Sequence, residues 1–505
     1  MPILAGLDVG TTTIKAILLD SRSGQVIDLR SVPTPTHSPT PGCSEHDPEE
    51  LFQAACTCLC GLKQITEART IAISSFAEAG VPVDSSFQPL SPAIAWFDRR
   101  SEPQAGWIEQ QINEAELHAI TGQRVSPSFG ITKWLWFKQH KPAEASRLFC
   151  WLPVPDYLLY RLTNSPPVTS YSIASRTLLF DQTSLNWSPV LLSLAGLEPH
   201  QLPQPLPSGT IAGYLTREAH EKTRLPVGIP CILGGHDHLC AALAAGAVKP
   251  GIVVESTGTA EALLFVLKHF ITSAELAQSG FACYAHTAPG TYVLKGGLKA
   301  YGGAIDWLAR LLAGDLSPQI YSCLEMEAQA GIGRIAGPVF LPHLIGSGTP
   351  EGDRYSMAAL AGLQPDHTRG DIYRGLLESL ACWLRHNLEE MTAVTGQTTS
   401  QVIILGGTTR IGLFNQLKAD LLGIQIRVPS LAAASAVGAA LLAGTGAGVY
   451  SSLEQAAVSL NGPFQVYSPD SSRSVWYDQL YNQVYRPLYP ALASVHHKLA
   501  EINQK

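Results

Sequence analysis

The chain has 505 residues, more than one hydrophobic core usually holds, so two large domains are expected. Its formal net charge of −7 argues against nucleic acid or an anionic membrane as a partner, because both require a basic face. The N-terminal segment lacks the basic region of a secretory signal, and ten cysteines are too sparse for a disulfide framework. These features predict a cytoplasmic protein without a membrane partner.

The first predicted element is a β-hairpin at residues 3–20, ILAGLDVGTTTIKAILLD. Gly10 allows a tight turn, and the threonines at 11–13 offer hydroxyl and N–H groups to a phosphate. Asp8, at the end of the first strand, is placed to hold a divalent cation, directly or through water. The turn lacks the spacing of a P-loop, so it does not predict a Walker-type nucleotide site.

A helical apolar pattern follows from Asp47-Pro48 and includes the CTCLC run at residues 56–60. Residues two apart on a helix point to different sides, and zinc sites space their cysteines differently. We therefore interpret these cysteines as packing residues.

The stretch GGHDHLC at residues 234–240 follows an apolar strand and precedes a helical pattern. This places Asp237 near a helix N-terminus, where it could act as a general base or simply cap the helix. A zinc site built on His236, His238 and Cys240 is a weaker alternative, because further ligands at suitable spacing are missing. Alternation along the chain predicts that both histidines turn away from the carboxylate.

The second predicted hairpin, at residues 251–265, repeats the shape of the first with a Ser-Thr-Gly-Thr turn. A strand, a glycine pair and a helix follow at residues 401–423, which suits close approach of a phosphate to the backbone. The uncharged stretch at residues 428–453 contains Pro429 and many Ala and Gly, so it predicts a buried helix and not a membrane span.

These segments together resemble the FGGY family of carbohydrate kinases, within the sugar kinase/actin/heat-shock ATPase superfamily. The similarity runs over about residues 3–445 and includes GLDVGTTTIKA, SPSFGITKWLWFKQH, DYLLYRLTN, YSIASRTLLFD, GGHDHLCAA, STGTAEA and GGTTRIGLFNQLKADLLG. It implies an α/β protein with two actin-like (ribonuclease H-like) domains flanking a catalytic cleft. The expected division is residues 1–246, residues 247–450 and a helical tail at residues 451–505.

The resemblance also implies roles for individual residues. Asp237 matches the catalytic base, and Asp8 matches the carboxylate that organises Mg²⁺, here expected to act through water. ATP would be held by residues matching the phosphate and nucleotide motifs: Asp8, Gly10, Thr11, Thr12, Thr13, Thr257, Gly258, Thr259, Gly302, Gly406, Gly407 and Asn415. The sugar would be bound by Glu78, Trp96, Asp98 and Asp237.

Some positions depart from the family pattern. Ala77 replaces the arginine that precedes the matching glutamate in glycerol kinases, which argues against glycerol as substrate. The Met-His pair of xylulokinases is absent there too, which puts D-xylulose in doubt. Gly130, Ser170 and Ala433 also differ from the usual residues. None of these changes touches Asp8, Asp237 or the phosphate turns.

The resemblance therefore predicts an ATP-dependent kinase that phosphorylates a hydroxyl of a pentulose, hexulose or related polyol. A catalytically silent protein that senses ATP and sugar is the alternative. Dimers are common in the family, so a homodimer is compatible with this prediction.

Overall fold

The computed structural model describes residues 2–332, 337–460 and 462–503, and two mixed sheets form its centre. The strands are β1 Ile3–Val9, β2 Thr13–Asp20, β3 Val26–Pro33, β4 Glu45–His46, β5 Ala68–Ser75, β6 Gly80–Val83, β7 Ala93–Ile94, β8 Cys150–Pro153, β9 Val168–Ser170, β10 Phe180–Asp181, β11 Asn186–Trp187, β12 Gln204–Leu206, β13 Ile211–Tyr214, β14 Pro230–His236, β15 Ile252–Thr257, β16 Glu261–Leu267, β17 Ala282–Ala285, β18 Tyr292–Gly296, β19 Val339–Leu341, β20 Ala359–Ala361, β21 Gln401–Gly406, β22 Ile426–Pro429 and β23 Phe464–Tyr467.

The α-helices are α1 Pro48–Cys60, α2 Glu102–Gln111, α3 Glu114–Thr121, α4 Gly130–His140, α5 Pro142–Ala145, α6 Val154–Thr163, α7 Tyr171–Ser175, α8 Pro189–Ala195, α9 Arg217–Thr223, α10 Asp237–Ala244, α11 Ala274–Ser279, α12 Tyr301–Ala313, α13 Pro318–Ala330, α14 Arg369–Thr395, α15 Gly412–Leu422, α16 Ala434–Gly446, α17 Leu453–Ser459, α18 Ser471–Gln479 and α19 Arg486–Asn503. No helix among the described residues has a stretch long and apolar enough to cross a membrane.

The first sheet has the strand order β13-β14-β5-β1-β2-β3. The predicted hairpin forms β1 and β2, which pair antiparallel, while β1 runs parallel to β5. β14 also runs parallel to β5, so the carboxyl ends of these three strands meet at one edge. That edge carries Asp8 and Asp237, at the end of β1 and just after β14.

The second sheet has the order β17-β18-β16-β15-β21-β22-β23. It repeats the local plan of the first, because the hairpin β15–β16 pairs antiparallel and β15 runs parallel to β21. One face packs against α12 and the long helix α14, whose buried side chains join those of the sheet in one large core. The predicted hairpin, glycine turn and helices of this half are confirmed.

Two Ala-rich helices pack between the sheets. Helix α16 lies on the first sheet, where a Cβ added at Gly6 would come within 2.0 Å of the Ala436 carbonyl oxygen. Helix α10 packs beside α16 and also against the second sheet. At their contact, a Cβ on Gly438 would lie 1.9 Å from the Cys240 carbonyl oxygen. This close packing explains the small residues of the stretch at 428–453, and the prediction of a buried helix is confirmed.

Residues 451–505 were expected as a helical tail, and they also supply strand β23, which pairs with β22 at the edge of the second sheet. The aromatic residues Tyr477, Tyr481 and Tyr485 are buried in the core of that sheet. A separate small core forms between β7 and β12 from residues of α2, α3, α4, α7 and α8.

Candidate active site

The first phosphate turn lies between β1 and β2. Gly10 N–H donates to the Thr13 carbonyl (3.2 Å), which closes the turn, and Thr34 Oγ1 donates to the Gly10 carbonyl (2.7 Å). The indole Nε1 of Trp96 donates to Thr11 Oγ1 at 2.8 Å. The predicted sugar-side Trp96 and the predicted phosphate-side Thr11 are therefore in direct contact.

Asp237 is the first residue of α10, and His236 occupies the N-cap position. The close packing of β14 against β5 requires glycine at position 234, since a Cβ there would lie 2.0 Å from the Ile73 carbonyl oxygen. A Cβ on Gly235 would meet the Thr287 side chain at 2.4 Å. The Asp237 side chain keeps 23% of its surface exposed, at a helix start where the dipole stabilises negative charge.

Asp8 and Asp237 face the same site. Asp8 lies opposite Ser74 in the parallel register, and Ser74 Oγ donates to Asp8 Oδ1 at 3.0 Å. Burial, and then repulsion from the Asp237 carboxylate, raises the pKa of Asp8 to about 7. Two carboxylates that repel each other at one edge of a sheet form a place for a divalent cation.

Asp8→Asn is expected to stabilise the ligand-free protein at pH 8 and to stabilise it less at pH 5. The pKa of Asp8 is about 7 in the folded state against 3.8 for an ordinary aspartate. The folded state therefore binds more protons in this window, so the free energy of unfolding falls as the pH rises from about 4 to 7. At pH 8 the wild type carries a buried, repelled charge that asparagine lacks.

Thermal unfolding in EDTA tests this expectation, with a rise in Tm of about 2 °C or more for the variant at pH 8. The exposed Asp366→Asn serves as control and should leave Tm unchanged at both pH values. An equal effect of Asp8→Asn at pH 5 and pH 8 would contradict the raised pKa.

The second phosphate turn contacts the glycine pair after β21. Thr257 Oγ1 donates to the Leu405 carbonyl (2.7 Å) and accepts from Thr408 Oγ1 (2.7 Å). Gly406 has φ +99°, and a Cβ there would lie 1.9 Å from the Thr257 carbonyl oxygen. Only glycine allows this approach.

The start of α12 completes this cluster. A Cβ on Gly302 would lie 2.1 Å from the Gly258 carbonyl oxygen, and Gly303 N–H donates to the Thr259 carbonyl at 3.0 Å. A Cβ on Gly407 would meet no atom within 4 Å, so its backbone borders open space. The structure thus brings together the second turn, Gly302, Gly406 and Gly407 around a backbone surface without side chains.

Asn415 is buried within α15 behind this surface. Its Nδ2 donates to the Thr409 carbonyl at 2.8 Å, and its Oδ1 has no hydrogen-bond partner among the described residues. Asn415 therefore orders the loop after Gly407, and its contact with a nucleotide stays a prediction.

A buried ion pair lies on the predicted sugar side of the site. Arg176 Nε and Nη2 donate to Glu78 Oε1 at 2.8 and 2.6 Å, and Arg176 Nη1 donates to Gln123 Oε1. The Arg176 and Glu78 side chains are 10% and 7% exposed. Burial lowers the pKa of Arg176, but Glu78 and, more weakly, the negative charge of Asp237 raise it above its ordinary value, which places the pair beside the candidate base. No role was predicted for Arg176 from the sequence, although it lies in the segment YSIASRTLLFD.

The Asp98 carboxylate is buried and already bonded to groups of the protein. It accepts from the Ser44 N–H (2.6 Å) and from the Arg100 guanidinium, and the side chain has no exposed surface. Arg100 also pairs with Glu45. Asp98 therefore holds the segment that carries Trp96, and direct contact of Asp98 with a sugar stays a prediction.

Several buried polar atoms, two of them beside Asp237, have no hydrogen-bond partner among the described residues. They are Nδ1 of His236, the hydroxyl of Tyr284 and both carboxyl oxygens of Glu261. The Tyr284 ring lies 5.5 Å from the Arg176 guanidinium, so Tyr284 lies beside the ion pair of Arg176 and Glu78. Buried polar groups are normally satisfied, and a hydroxyl-rich ligand would supply the missing partners.

The histidines do not turn away from the carboxylate, so the expectation from alternation was wrong. His236 Nε2 lies 3.3 Å from Asp237 Oδ1, and the His236 and His238 ring centroids are 5.5 Å apart. The reason is that the strand ends at His236 and the helix begins at Asp237, which breaks the period of two. Burial lowers the pKa of His236 far below its ordinary value, so its ring is neutral.

Cys240 is fully buried against α16. In the part of the chain that the structure describes, no group of three or more His, Cys, Asp or Glu side chains has the arrangement of a metal site. The geometry thus offers no support for zinc at His236, His238 and Cys240.

Comparison with known proteins decides the family. The N-terminal domain model of the FGGY family of carbohydrate kinases matches residues 3–244, and the C-terminal domain model matches residues 253–447. The chain belongs to the FGGY family of carbohydrate kinases. It is a phosphotransferase with an alcohol group as acceptor, acting on a sugar or polyol, and ATP use follows from the family.

Individual relatives agree with this assignment. A xylulose kinase of Staphylococcus epidermidis is 28% identical over 492 residues, covering 96% of each chain. A glycerol kinase of Saccharolobus islandicus is 30% identical over 460 residues, covering 89% of each chain. The crystal structure of xylulose kinase from Rhodospirillum rubrum has a TM-score of 0.90 and 28% identity, covering 98% of this chain and 100% of that one. The expected two-domain actin-like fold is confirmed.

The departures of this FGGY kinase from the family pattern have local explanations. Ala77 supplies no cation, and the partner of Glu78 is Arg176, which comes from the end of α7. Ser170, at a position where many members have Asp, caps α7 and shares a hydrogen bond with Ser172. Ser172 Oγ in turn accepts from the His236 N–H at 3.2 Å. Ser170 therefore still supports the strand that delivers Asp237.

Proposed function

We propose that this FGGY kinase transfers the γ-phosphoryl group of ATP to a sugar hydroxyl, with Asp237 as general base. The observation that carries the proposal is the position of Asp237 between two groups of residues. Its charge acts on Asp8 at the phosphate turn, and it acts on Arg176 and Lys295 on the sugar side. A hydroxyl bound at Asp237 therefore lies where the two substrates meet.

The nucleotide side fits a polyphosphate. In the cradle formed by Gly302, Gly406 and Gly407, the first two glycines pack against the backbone of the second phosphate turn, where a Cβ would clash, and Gly407 borders open space. The two Thr-rich turns supply hydroxyl and N–H donors for phosphate oxygens. The turns and glycines are expected to hold the triphosphate in line with the acceptor hydroxyl.

Asp8 fits a hard cation. It is a buried carboxylate with one oxygen bonded to Ser74 and a pKa raised to about 7 by burial and by repulsion from Asp237. A bound Mg²⁺, held by Asp8 through water, would supply positive charge to the phosphate oxygens and remove this repulsion.

Asp237 accepts the proton of the attacking hydroxyl as the bond to phosphorus forms. The helix start stabilises its charge before the reaction, and the His238 N–H orients Oδ1 by donating to it at 2.6 Å. The neutral His236 ring lies 3.3 Å from the same oxygen. Arg176 and Glu78 orient the rest of the sugar by hydrogen bonding to its other hydroxyls.

ADP release measured over pentuloses, hexuloses, polyols and sugar acids tests the proposal. We expect at least one compound to give ATP-dependent turnover and a phosphorylated product. The matched control is the Asp237→Asn variant with the same compound, which should release ADP only at the background rate. Binding of ATP and sugar with no phosphorylated product for any compound would favour the silent sensor instead.

A further inference from the structure

Lys295 lies in the wall of the sugar side. Alternation along β18 puts Lys295 on the same face of the sheet as Val293, which packs in one core with Leu239 of α10. The ammonium therefore faces the start of α10, where Asp237 is located. The charges of Arg176, Glu78, Asp237 and Glu261 all act on it.

None of these neighbours pairs with Lys295. Among the described residues, the Lys295 ammonium takes part in no hydrogen bond or ion pair within the usual distances, although the residue is mostly buried. The Glu78 carboxylate is already occupied, since Oε1 accepts from Arg176 and Oε2 accepts from the Ala77 N–H. Burial, Arg176 and other neighbours set the pKa of Lys295 at about 8, below that of an ordinary lysine.

Glu261 does not supply the missing charge. Neither carboxyl oxygen of Glu261 has a hydrogen-bond partner among the described residues. Burial and the nearby Glu255 raise the pKa of Glu261 far above its ordinary value, which favours its neutral form. Glu255 itself is paired with Lys418 at 2.7 Å. Besides Asp237, the sugar side thus contains two cations, Arg176 and Lys295, and one carboxylate that is bonded to a cation, Glu78.

An ammonium taken partly out of water without a partner is costly, and an anion that enters the pocket removes the cost. Building on the proposed kinase function, we propose that Lys295 determines specificity for sugar acids. Its ammonium pairs with the substrate carboxylate, and a hydroxyl at the other end of the same substrate is presented to Asp237. The triphosphate is the competing anion, since Gly297 and Leu298, which follow Lys295, contact Glu261 beside the second phosphate turn. The charges of Arg176 and Glu78 act on Lys295 more strongly than that of Glu261, which favours the sugar side.

Matched substrate pairs that differ only in one terminal group test this inference. The acids are D-gluconate, D-xylonate and L-arabinonate, and the neutral partners are D-glucitol, xylitol and L-arabinitol. The wild type should turn over at least one acid with kcat/KM about 10-fold or more above its neutral partner, as expected for a charged hydrogen bond.

Lys295→Met removes the charge and keeps the length of the side chain. It should raise KM for the acid by about 10- to 100-fold while leaving KM for ATP unchanged. Lys295→Arg should restore part of the acid preference. Lys299→Met is the matched control, because Lys299 follows on the same segment and is exposed. Circular dichroism confirms that each variant is folded.

The outcomes separate the two proposals. If neutral compounds react through Asp237 with no advantage for acids, the inference about Lys295 is wrong and the kinase mechanism stands. A higher KM for ATP in Lys295→Met, with no change for the acid, assigns Lys295 to the triphosphate and also overturns the inference. Absence of turnover with every acid, neutral polyol and ketose would reject the proposed function, and the inference about Lys295 with it.

Discussion

Asp237→Asn is expected to lower kcat by about 10²- to 10⁴-fold, the usual contribution of a positioned general base. Asparagine keeps the shape and the hydrogen bond from the His238 N–H, but it cannot take the hydroxyl proton. KM for ATP should stay within about threefold of the wild-type value, because the glycine cradle and the Thr turns are unchanged. The loss would therefore appear in the chemical step.

The measurement is steady-state ADP release with the best substrate of the panel, together with thermal unfolding of each variant. Asp366→Asn replaces an exposed carboxylate on a loop and should retain full activity. Asp237→Asn also removes the charge that repels Asp8, so the Tm of Asp237→Asn should not fall. Near-normal kcat in Asp237→Asn would reject Asp237 as the base.

Much of the fold could be predicted from local patterns. The two hairpins show alternating apolar residues on both sides of a Gly-Thr turn, and α10 follows a strand that ends in two glycines. The packing of α16 on the first sheet and of α10 against the second sheet could not be predicted, because both helices are apolar all round and rich in alanine. Strand β23 was missed since FQVY is short, and its pairing with β22 depends on a distant partner.

The site residues, too, could be predicted only in part. The phosphate turns, Asp8 and Asp237 lie in continuous motifs, so their residues could be found from the sequence and from the family resemblance. Arg176 was missed because its partner Glu78 is 98 residues away, and spacing along the chain gives no sign of the contact. No role was predicted for Lys295, because a lysine in a short strand pattern usually faces solvent, whereas here it lies on the face of β18 that packs toward α10.

Arg176→Met is expected to lower the free energy of unfolding by about 3–5 kcal/mol, because the Glu78 carboxylate would remain buried without its partner. The corresponding fall in Tm is about 6 °C or more. The variant should also lose sugar affinity, since Arg176 and Glu78 together orient the substrate. Arg99→Met is the control: its pair with Glu102 is exposed, and Tm should change by about 1 °C or less.

The double variant Glu78→Leu/Arg176→Met separates folding from binding. Replacing both members of a buried ion pair by apolar residues is often neutral for stability, so Tm should return to within about 3 °C of the wild type. Sugar-dependent turnover should stay lost in the double variant, because the apolar pair cannot bond to hydroxyls. Recovery of turnover along with Tm would show that the pair only supports the fold. Recovery of neither would show that the loops around Asp237 depend on the charges themselves.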